Sequence, residues 1–550
     1  MDTHELIAEL KKIIAGDVES DDPVLTEYSH DMSLFEVRPR IVVFPRDAAD
    51  VEKLVSFVAQ ETKKGNKLSL TGRSAGTDMS GGPLSQSIIV SFTRYCNHIR
   101  EIGADYAAVE PGVYFRDFEK ELAVRGLLYP PYPASKDLCA MGGIVNNNSG
   151  GEKTLAYGKT EDYVEELSIV LADGKEHVVR PLSGSALQEK LTEQSFDGTM
   201  YRKLYDLIEK NYDLIQAAKP HVSKNSAGYY LWNVWDKKTF DVTKLIVGSQ
   251  GTLGLLTAAK VRLVKAKKYS KLLVIFANGL DPVPGLVTDL LPFHPESIES
   301  YDDKTLGLAL KFLPAMIKIM KGNAFILGLQ FLPEFLMVLR GGFPKMVLMV
   351  ELTGDDEEEL AWRMRAAYEV TKKYSVRTRL VKSAAAAQKY WTIRRQSFAL
   401  LHSHVKGLYA APFVDDIIVD PKYMPEFLPQ VNAILDAHKD KLIYTIAGHP
   451  GNGNFHIIPL VDLKDPEIKK IIPEVTEQIY QLVFKYQGSI TAEHNDGIIR
   501  TPYLREMYGE KIAALFEDVK KIFDPDDLFN PGKKVGGTLA YALAHIRQTL

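Results

Sequence analysis

The stretch IAGHPGNGNFHIIPL, residues 446–460, places His449 and His456 around a turn made of Pro450, Gly451, Asn452, Gly453 and Asn454. The flanking runs, residues 441–447 and 455–460, have the β-branched and aromatic content of paired strands, and the Gly/Asn/Pro cluster between them is turn chemistry. Two imidazoles would then converge at one end of a hairpin. That geometry suits a metal, an anion or a proton-transfer site, and it is also what a glycine-rich turn with two incidental histidines looks like.

Three further stretches are built to let backbone approach a ligand. TGRSAGTDMSGG, residues 71–82, lies between the strand-like runs KLSLT and SIIVSF, and its small residues let N–H groups converge on an anion without Cβ obstruction. A diphosphate is the natural guest. The stretch lacks the Gly-Lys-Ser/Thr ending of a Walker A loop and does not lead from strand to helix as a Rossmann fingerprint does. PPYPASKDLCAMGGIVNNNSGG, residues 130–151, followed by AYGKTEDYVEELSIVLADG, combines prolines, paired glycines and three consecutive asparagines. VGSQGTLGLLT, residues 247–257, is a glycine turn between two β-branched runs. Each could be a structural turn, but three in one region point to an extended dinucleotide cleft.

The elements that must hold these loops divide the chain. With 550 residues, two or three domains are expected. A net charge of −4 argues against nucleic-acid binding, and two cysteines, Cys96 and Cys139, are too few for a disulfide framework, an iron–sulfur cluster or a haem attachment motif. The sequence suits a reducing, cytoplasmic compartment. The opening MDTHELIAELKKII has helical spacing and reads as a surface helix rather than a signal peptide. From residue 39 short strands alternate with short helices, including a helix capped by Asp47. From about residue 268 a second pattern begins, of strands and charged helices, as expected for an antiparallel sheet covered by helices. The expected class is α+β: residues 1–267 as the first domain, with a core from about 36 to 267, residues 268–485 as a second, and 486–550 as a C-terminal segment. Residues 306–345 are mostly apolar with five basic residues against the single acid Glu334, a composition that suits an interface at the inner face of a membrane. It also suits a core face or a homodimer interface.

Taken in order, these stretches resemble the FAD-binding oxidases and dehydrogenases of the vanillyl-alcohol oxidase type, with their PCMH-type flavin domain of two α/β subdomains and a substrate (cap) domain. The resemblance runs from about residue 35 to 535, and AGHPGNGNFH, GSITAEHNDGIIRTPYLREMYG and IFDPDDLFNPGKKVG are similar to the C-terminal half of the D-lactate, glycolate and D-2-hydroxyacid dehydrogenase branch. It implies that FAD lies against Gly72, Arg73, Ser74, Ala75, Gly76, Thr77, Asp78 and Ser80 of the diphosphate loop, and against Pro111 and Gly112 of the next turn. In the middle segment it implies Ser135, Met141, Gly142, Gly143, Asn148, Gly151, Tyr157, Gly158 and Val164. Gly248, Gly251, Thr252 and Gly254 would close the cleft, and the returning C-terminal segment would bring Asn530 and Glu493 to face the isoalloxazine. Relatives with a covalent flavin carry a histidine where this chain has Thr77, so FAD is expected to be held non-covalently.

The same resemblance makes His449, His456 and Glu493 ligands of a divalent metal, zinc or manganese, His494 the general base, and Arg394 the partner of the substrate carboxylate. The chain departs from the branch in reading Asn495-Asp496 after His494, which raises the expectation that Asp496 tunes His494. It also has Phe398 where some relatives have threonine, and Phe413 and Val414 where a lysine is expected, which favours a small monocarboxylate, D-lactate first. The implied activity is FAD- and metal-dependent oxidation of a D-2-hydroxyacid, with electrons passed to a quinone, a cytochrome or an electron-transfer flavoprotein. Two alternatives are an alkyl-glycerone-phosphate synthase-like flavoenzyme, whose run of histidines is absent around His494, and a non-catalytic FAD-binding subunit.

Overall fold

A computed structural model describes residues 1–311, 342–383, 386–395 and 407–548. Most of the apolar stretch 306–345, and Phe398, lie outside the described residues. The first domain is built on two main sheets, with two short two-stranded pairs beside them. In the first, Ile41–Phe44 and Leu70–Arg73 run parallel to Ile88–Ser91 between them, and Asp17–Glu19 adds an antiparallel edge. All four residues of both Ile41–Phe44 and Ile88–Ser91 are buried, as expected of parallel strands covered on both faces. The helix Ala48–Lys63 covers one face. Asp47 caps it by accepting from the Asp50 N–H, and Val51, Leu54, Val55 and Val58 are buried beneath it. The second sheet is antiparallel, with Leu255–Arg262 between Tyr106–Val109 and Val164–Val170.

The second domain is built on an eight-stranded antiparallel sheet that includes Tyr269–Ala277, Met346–Gly354, Ser297–Asp302 and the hairpin Leu442–His449/Asn454–Val461. Leu273, Ile275, Leu348 and Val350 on one face join the helices Glu357–Thr371, Met424–Asp436 and Ile468–Lys485 in the largest core. Residues of opposite parity, Leu272, Val274, Phe276, Val347 and Met349, form a smaller cluster with Tyr301, Tyr390, Trp391 and Ala447.

The chain then returns to its start. Leu528 and Asn530 bracket Leu70 with backbone hydrogen bonds, extending the edge of the parallel sheet, and Ile546 pairs with Phe35. The helix Leu504–Phe523, kinked where Gly509 takes φ +77°, packs against Phe196–Lys210 of the first domain. The molecule is a mixed α+β fold whose three glycine-rich stretches share a cavity with Ala447, His449 and His456 of the second domain's sheet. Among the described residues no helix is long and apolar enough to cross a membrane.

Candidate active site

A cavity of about 440 Å³ runs between the two domains. Residues 72–78, Pro111, Ser135, Gly142, Gly143, Gly151, Gly251 and Gly254 line one part of it, and Arg394, Arg395, Asp415, His449, His456, Glu493 and His494 line the other. The glycines have specific reasons to be there. A Cβ on Gly76, at φ +69°, would strike the Arg73 guanidinium at 2.4 Å, and one on Gly142 would strike Ser74 Oγ at 2.6 Å. A Cβ on Gly143 would meet nothing within 4 Å, so it would project into the cavity itself. That is the cradle an extended dinucleotide needs, with no side chain between backbone and ligand.

The remaining sequence candidates serve the walls rather than the surface. Ser80, Gly112, Met141, Asn148, Tyr157, Gly158, Val164, Gly248, Thr252 and Asn530 do not line the cavity. Thr252 Oγ1 lies 2.6 Å from Tyr229 OH, and Tyr157 OH reaches Glu296 across the domain boundary. Asn530 donates to the carbonyls of Gly82 and Gln250 at 2.9 and 2.7 Å and accepts from Thr71 Oγ1, so it ties two cavity loops together. Gln250, which the sequence reading passed over, does similar work: its Nε2 donates toward Ser80 Oγ and Asn147 Oδ1, and its Oε1 accepts from the Gly497 N–H.

At the other end three imidazoles meet. In the hairpin register Ala447 faces His456 and His449 faces Asn454, so the two histidines lie diagonally on the same face. Their Nε2 atoms are 3.2 Å apart, and Glu493 Oε2 lies 3.6 Å from His449 Nε2 and 3.9 Å from His456 Nε2. Each ring's other nitrogen lies beside a buried carboxylate. His449 Nδ1 is hydrogen-bonded to Glu299 Oε1, His456 Nδ1 lies 3.3 Å from Asp415 Oδ1, and His494 Nδ1 lies 2.7 Å from Asp415 Oδ2. Carboxylates on the outer nitrogens of His449 and His456 fix ring orientation and turn their Nε2 atoms toward Glu493. The His456 and His494 rings stack with centroids 5.0 Å apart. Arg394 Nε donates to the other oxygen of Glu299 at 3.1 Å, so one carboxylate orients both a histidine and the guanidinium.

The charges are strongly coupled. Burial alone would raise the Glu493 carboxyl, but the Lys224 ammonium at 2.5 Å, followed by His449, outweighs it and holds Glu493 well below its ordinary value. Burial also opposes a charged His494, yet the carboxylates of Asp416 and Asp415 prevail and lift it to about 9. Glu299, Asp415, Asp416 and Glu493 are all at most 5% exposed, a concentration of buried negative charge that fits a cation. Two imidazole Nε2 atoms and one carboxylate oxygen form a borderline donor set suited to zinc or manganese. A second grouping, Asp416, His456, Glu493 and His494, also has ligand atoms within 4.8 Å of one another, but Asp416 Oδ2 already accepts four hydrogen bonds. His449, His456 and Glu493 are therefore the better set.

Asp496 does not reach His494, contrary to the expectation from sequence. Its Oδ2 pairs with Lys534 at 2.8 Å and accepts from the Gly228 N–H at 2.9 Å, a contact between distant segments that only folding creates. The residues that do act on the histidines, Glu299 and Asp415, escaped notice. The Asp415-Asp416 doublet in a β-branched, apolar run was the available signal.

Residues 39–180 match the FAD binding domain family and residues 294–534 the family of C-terminal domains of FAD linked oxidases. The chain thus carries both an FAD binding domain and the C-terminal domain of FAD linked oxidases. The chain is 27% identical over 526 residues to the D-2-hydroxyglutarate dehydrogenase of Pseudomonas putida, covering 94% of this chain but 50% of that protein. It thus spans about half the length of the D-2-hydroxyglutarate dehydrogenases of Pseudomonas putida and Escherichia coli, but 98% of that of Stutzerimonas stutzeri, to which it is 27% identical. It is 26% identical to the D-lactate dehydrogenase of Anaerostipes hadrus, covering 96% and 97% of the two chains. Among solved structures, 4-ethylphenol oxidase from Gulosibacter chungangensis superposes with a TM-score of 0.67 at 16% identity, covering 98% of both chains. An alkyldihydroxyacetonephosphate synthase superposes at 0.66 and 14% identity, covering 96% of this chain and 84% of the other. These two likenesses define the fold alone.

Proposed function

We propose that this protein oxidises a D-2-hydroxyacid to the 2-oxoacid, using FAD in the glycine-lined part of the cavity and a divalent ion at His449, His456 and Glu493. The observation that carries the reading is the junction itself: a convergent His/His/Glu set and His494 line the same cavity as the diphosphate loop. When bound, FAD supplies the two-electron acceptor for the hydride leaving Cα, and the ion supplies a Lewis acid for the substrate hydroxyl. Arg394, fixed through Nε by Glu299, orients the substrate carboxylate. His494 takes the hydroxyl proton on Nε2 while Asp415 holds its Nδ1 side. The non-covalent flavin and the separate electron acceptor, whether quinone, cytochrome or flavoprotein, are part of the same proposal.

For the substrate we favour a small monocarboxylate such as D-lactate. Phe413 and Val414 are fully buried, so no cation stands there to meet a second carboxylate, and Arg395 is already paired with Glu152 through contacts of 2.7 to 3.2 Å. D-2-Hydroxyglutarate is the competing reading, supported by the names of several relatives, and it would draw Arg395 away from Glu152. The test is anaerobic reduction of the bound flavin by a panel of D- and L-2-hydroxyacids. D-Lactate should bleach oxidised flavin faster than its L enantiomer and more efficiently than D-2-hydroxyglutarate. The reverse order for the two D acids would transfer the assignment to the dicarboxylate, and no reduction by any 2-hydroxyacid would end the proposal.

A further inference from the structure

Glu493 and His494 are adjacent in sequence, yet both side chains reach the same cavity. An extended strand could not do this, because successive side chains leave it on opposite faces. Residues 490–496 accordingly belong to no helix or strand, so no ladder of backbone hydrogen bonds fixes their direction. Something else must hold the curl.

Asp416 is fully buried, with its backbone in the left-handed region at φ +68°. Its Oδ2 accepts from the N–H groups of Ala492, Glu493 and His494 at 2.9, 2.8 and 2.7 Å, and from Thr491 Oγ1 at 2.6 Å. Its Oδ1 accepts from Asn454 Nδ2, on the strand that carries His456, at 3.1 Å. Three consecutive N–H groups pointing at one oxygen is the concave backbone arrangement that binds anions, here occupied by a side chain of the same protein. Arg500, also fully buried, completes the brace by donating to the carbonyls of Asp415, Ile490 and Asn495.

We infer that Asp416 is a positioning residue: by gathering the N–H groups of residues 492–494 it forces the Glu493 and His494 side chains onto one side and ties them to the strand bearing His456. This rests on the function proposed above. It assigns Asp416 no bond to metal or substrate, so its effects must appear through Glu493 and His494.

The test uses the full-length flavoprotein and Asp416→Asn, which keeps shape and volume but removes the charge that gathers the N–H groups. Zinc affinity is measured by competition with a chromophoric chelator, and turnover with the D-2-hydroxyacid that reduces the wild-type flavin. Asp416→Asn is expected to keep its FAD, to bind zinc about 10- to 100-fold more weakly and to lose kcat by a similar factor. KM should stay within about threefold, since the substrate carboxylate is held elsewhere. At saturating cobalt(II) its d–d bands should match those of the wild type, because the ligands are the same. Thr491→Val, which deletes one donor and leaves the carboxylate, should lower kcat by about fivefold, the effect of one hydrogen bond. Unchanged zinc affinity and kcat in Asp416→Asn would overturn the inference. Shifted cobalt bands would overturn it too, by making Asp416 a ligand, and loss of FAD would reduce Asp416 to a general structural role. A wild-type protein that binds no divalent ion and is not reduced by any 2-hydroxyacid would overturn the reading of the site, and this inference with it.

Discussion

At the scale of single residues, the site works by pairing every inward-facing group with a buried partner that leaves one direction open. His449 has Glu299, His494 has Asp415, and Glu493 has Lys224. Removing an inward-facing member should therefore affect metal or chemistry separately. His449→Ala and Glu493→Ala should lose the divalent ion, measured as metal per chain after gel filtration, and retain FAD. His494→Ala should retain both and lose about two to four orders of magnitude in the rate of flavin reduction, the usual worth of a general base. A Glu493→Ala protein with full metal content would contradict the ligand assignment. The pH dependence has a definite sign. The imidazolium of His494 is favoured up to about 9 by Asp416 and Asp415 in the absence of metal, whereas a base must be neutral. The rate of flavin reduction should accordingly rise with pH, and a nearby divalent ion should bring its midpoint below 9. A flat profile between about pH 6 and 9 would count against His494 as the base.

At the scale of elements, the hairpin and the loops it faces are held by backbone geometry that few residues allow. Gly453 has φ +76°, and a Cβ there would overlap the Val419 carbonyl oxygen. Gly453→Ala should destabilise the protein by at least about 2 kcal/mol in urea unfolding and impair metal retention, since the turn sets the spacing of His449 and His456. Beside the diphosphate loop, burial and then the nearby Asp78 carboxylate push Asp31 up to about 7. The protonated form is thus favoured by folding, so its contribution to stability is complete below about pH 4 and is lost as pH rises to about 7. Across that interval the urea midpoint of the wild type should fall relative to Asp31→Asn, and parallel curves for the two proteins would contradict the assignment. This scale also marks how far sequence could be read. The hairpin and the glycine loops were legible because turn chemistry and β-branched runs are local signals, as was the cap at Asp47. Glu299, Asp415, Asp416 and Lys224 were not, because each acquires its role from a partner far away in the chain. The mistaken expectation for Asp496 has the same origin: proximity in sequence to His494 did not survive the curl of residues 490–496.

At the scale of the whole molecule, the cavity exists only because the chain end comes home. Asn530 joins Gly82 to Gln250, and the backbone of Leu528 and Asn530 brackets Leu70 at the foot of the diphosphate loop. Asn530→Ala should weaken FAD retention during dialysis although the residue does not line the cavity, and unchanged retention would show that the stitch is dispensable. The sheet of the second domain brings His449 and His456 to the cavity and Glu299 behind them, a neighbouring helix brings Arg394, and Arg395–Glu152 links the domains beside them. The proposed reaction passes a hydride from Cα of a D-2-hydroxyacid at the histidine cluster to FAD in the adjoining cradle. The most direct measurement is single-turnover reduction of the bound flavin, without oxygen, by D-lactate and by D-lactate deuterated at C2. Reduction by the D acid should slow on deuteration and disappear on removal of the divalent ion. Reduction that is indifferent to both, or no reduction by any D-2-hydroxyacid with metal and FAD in place, would contradict it.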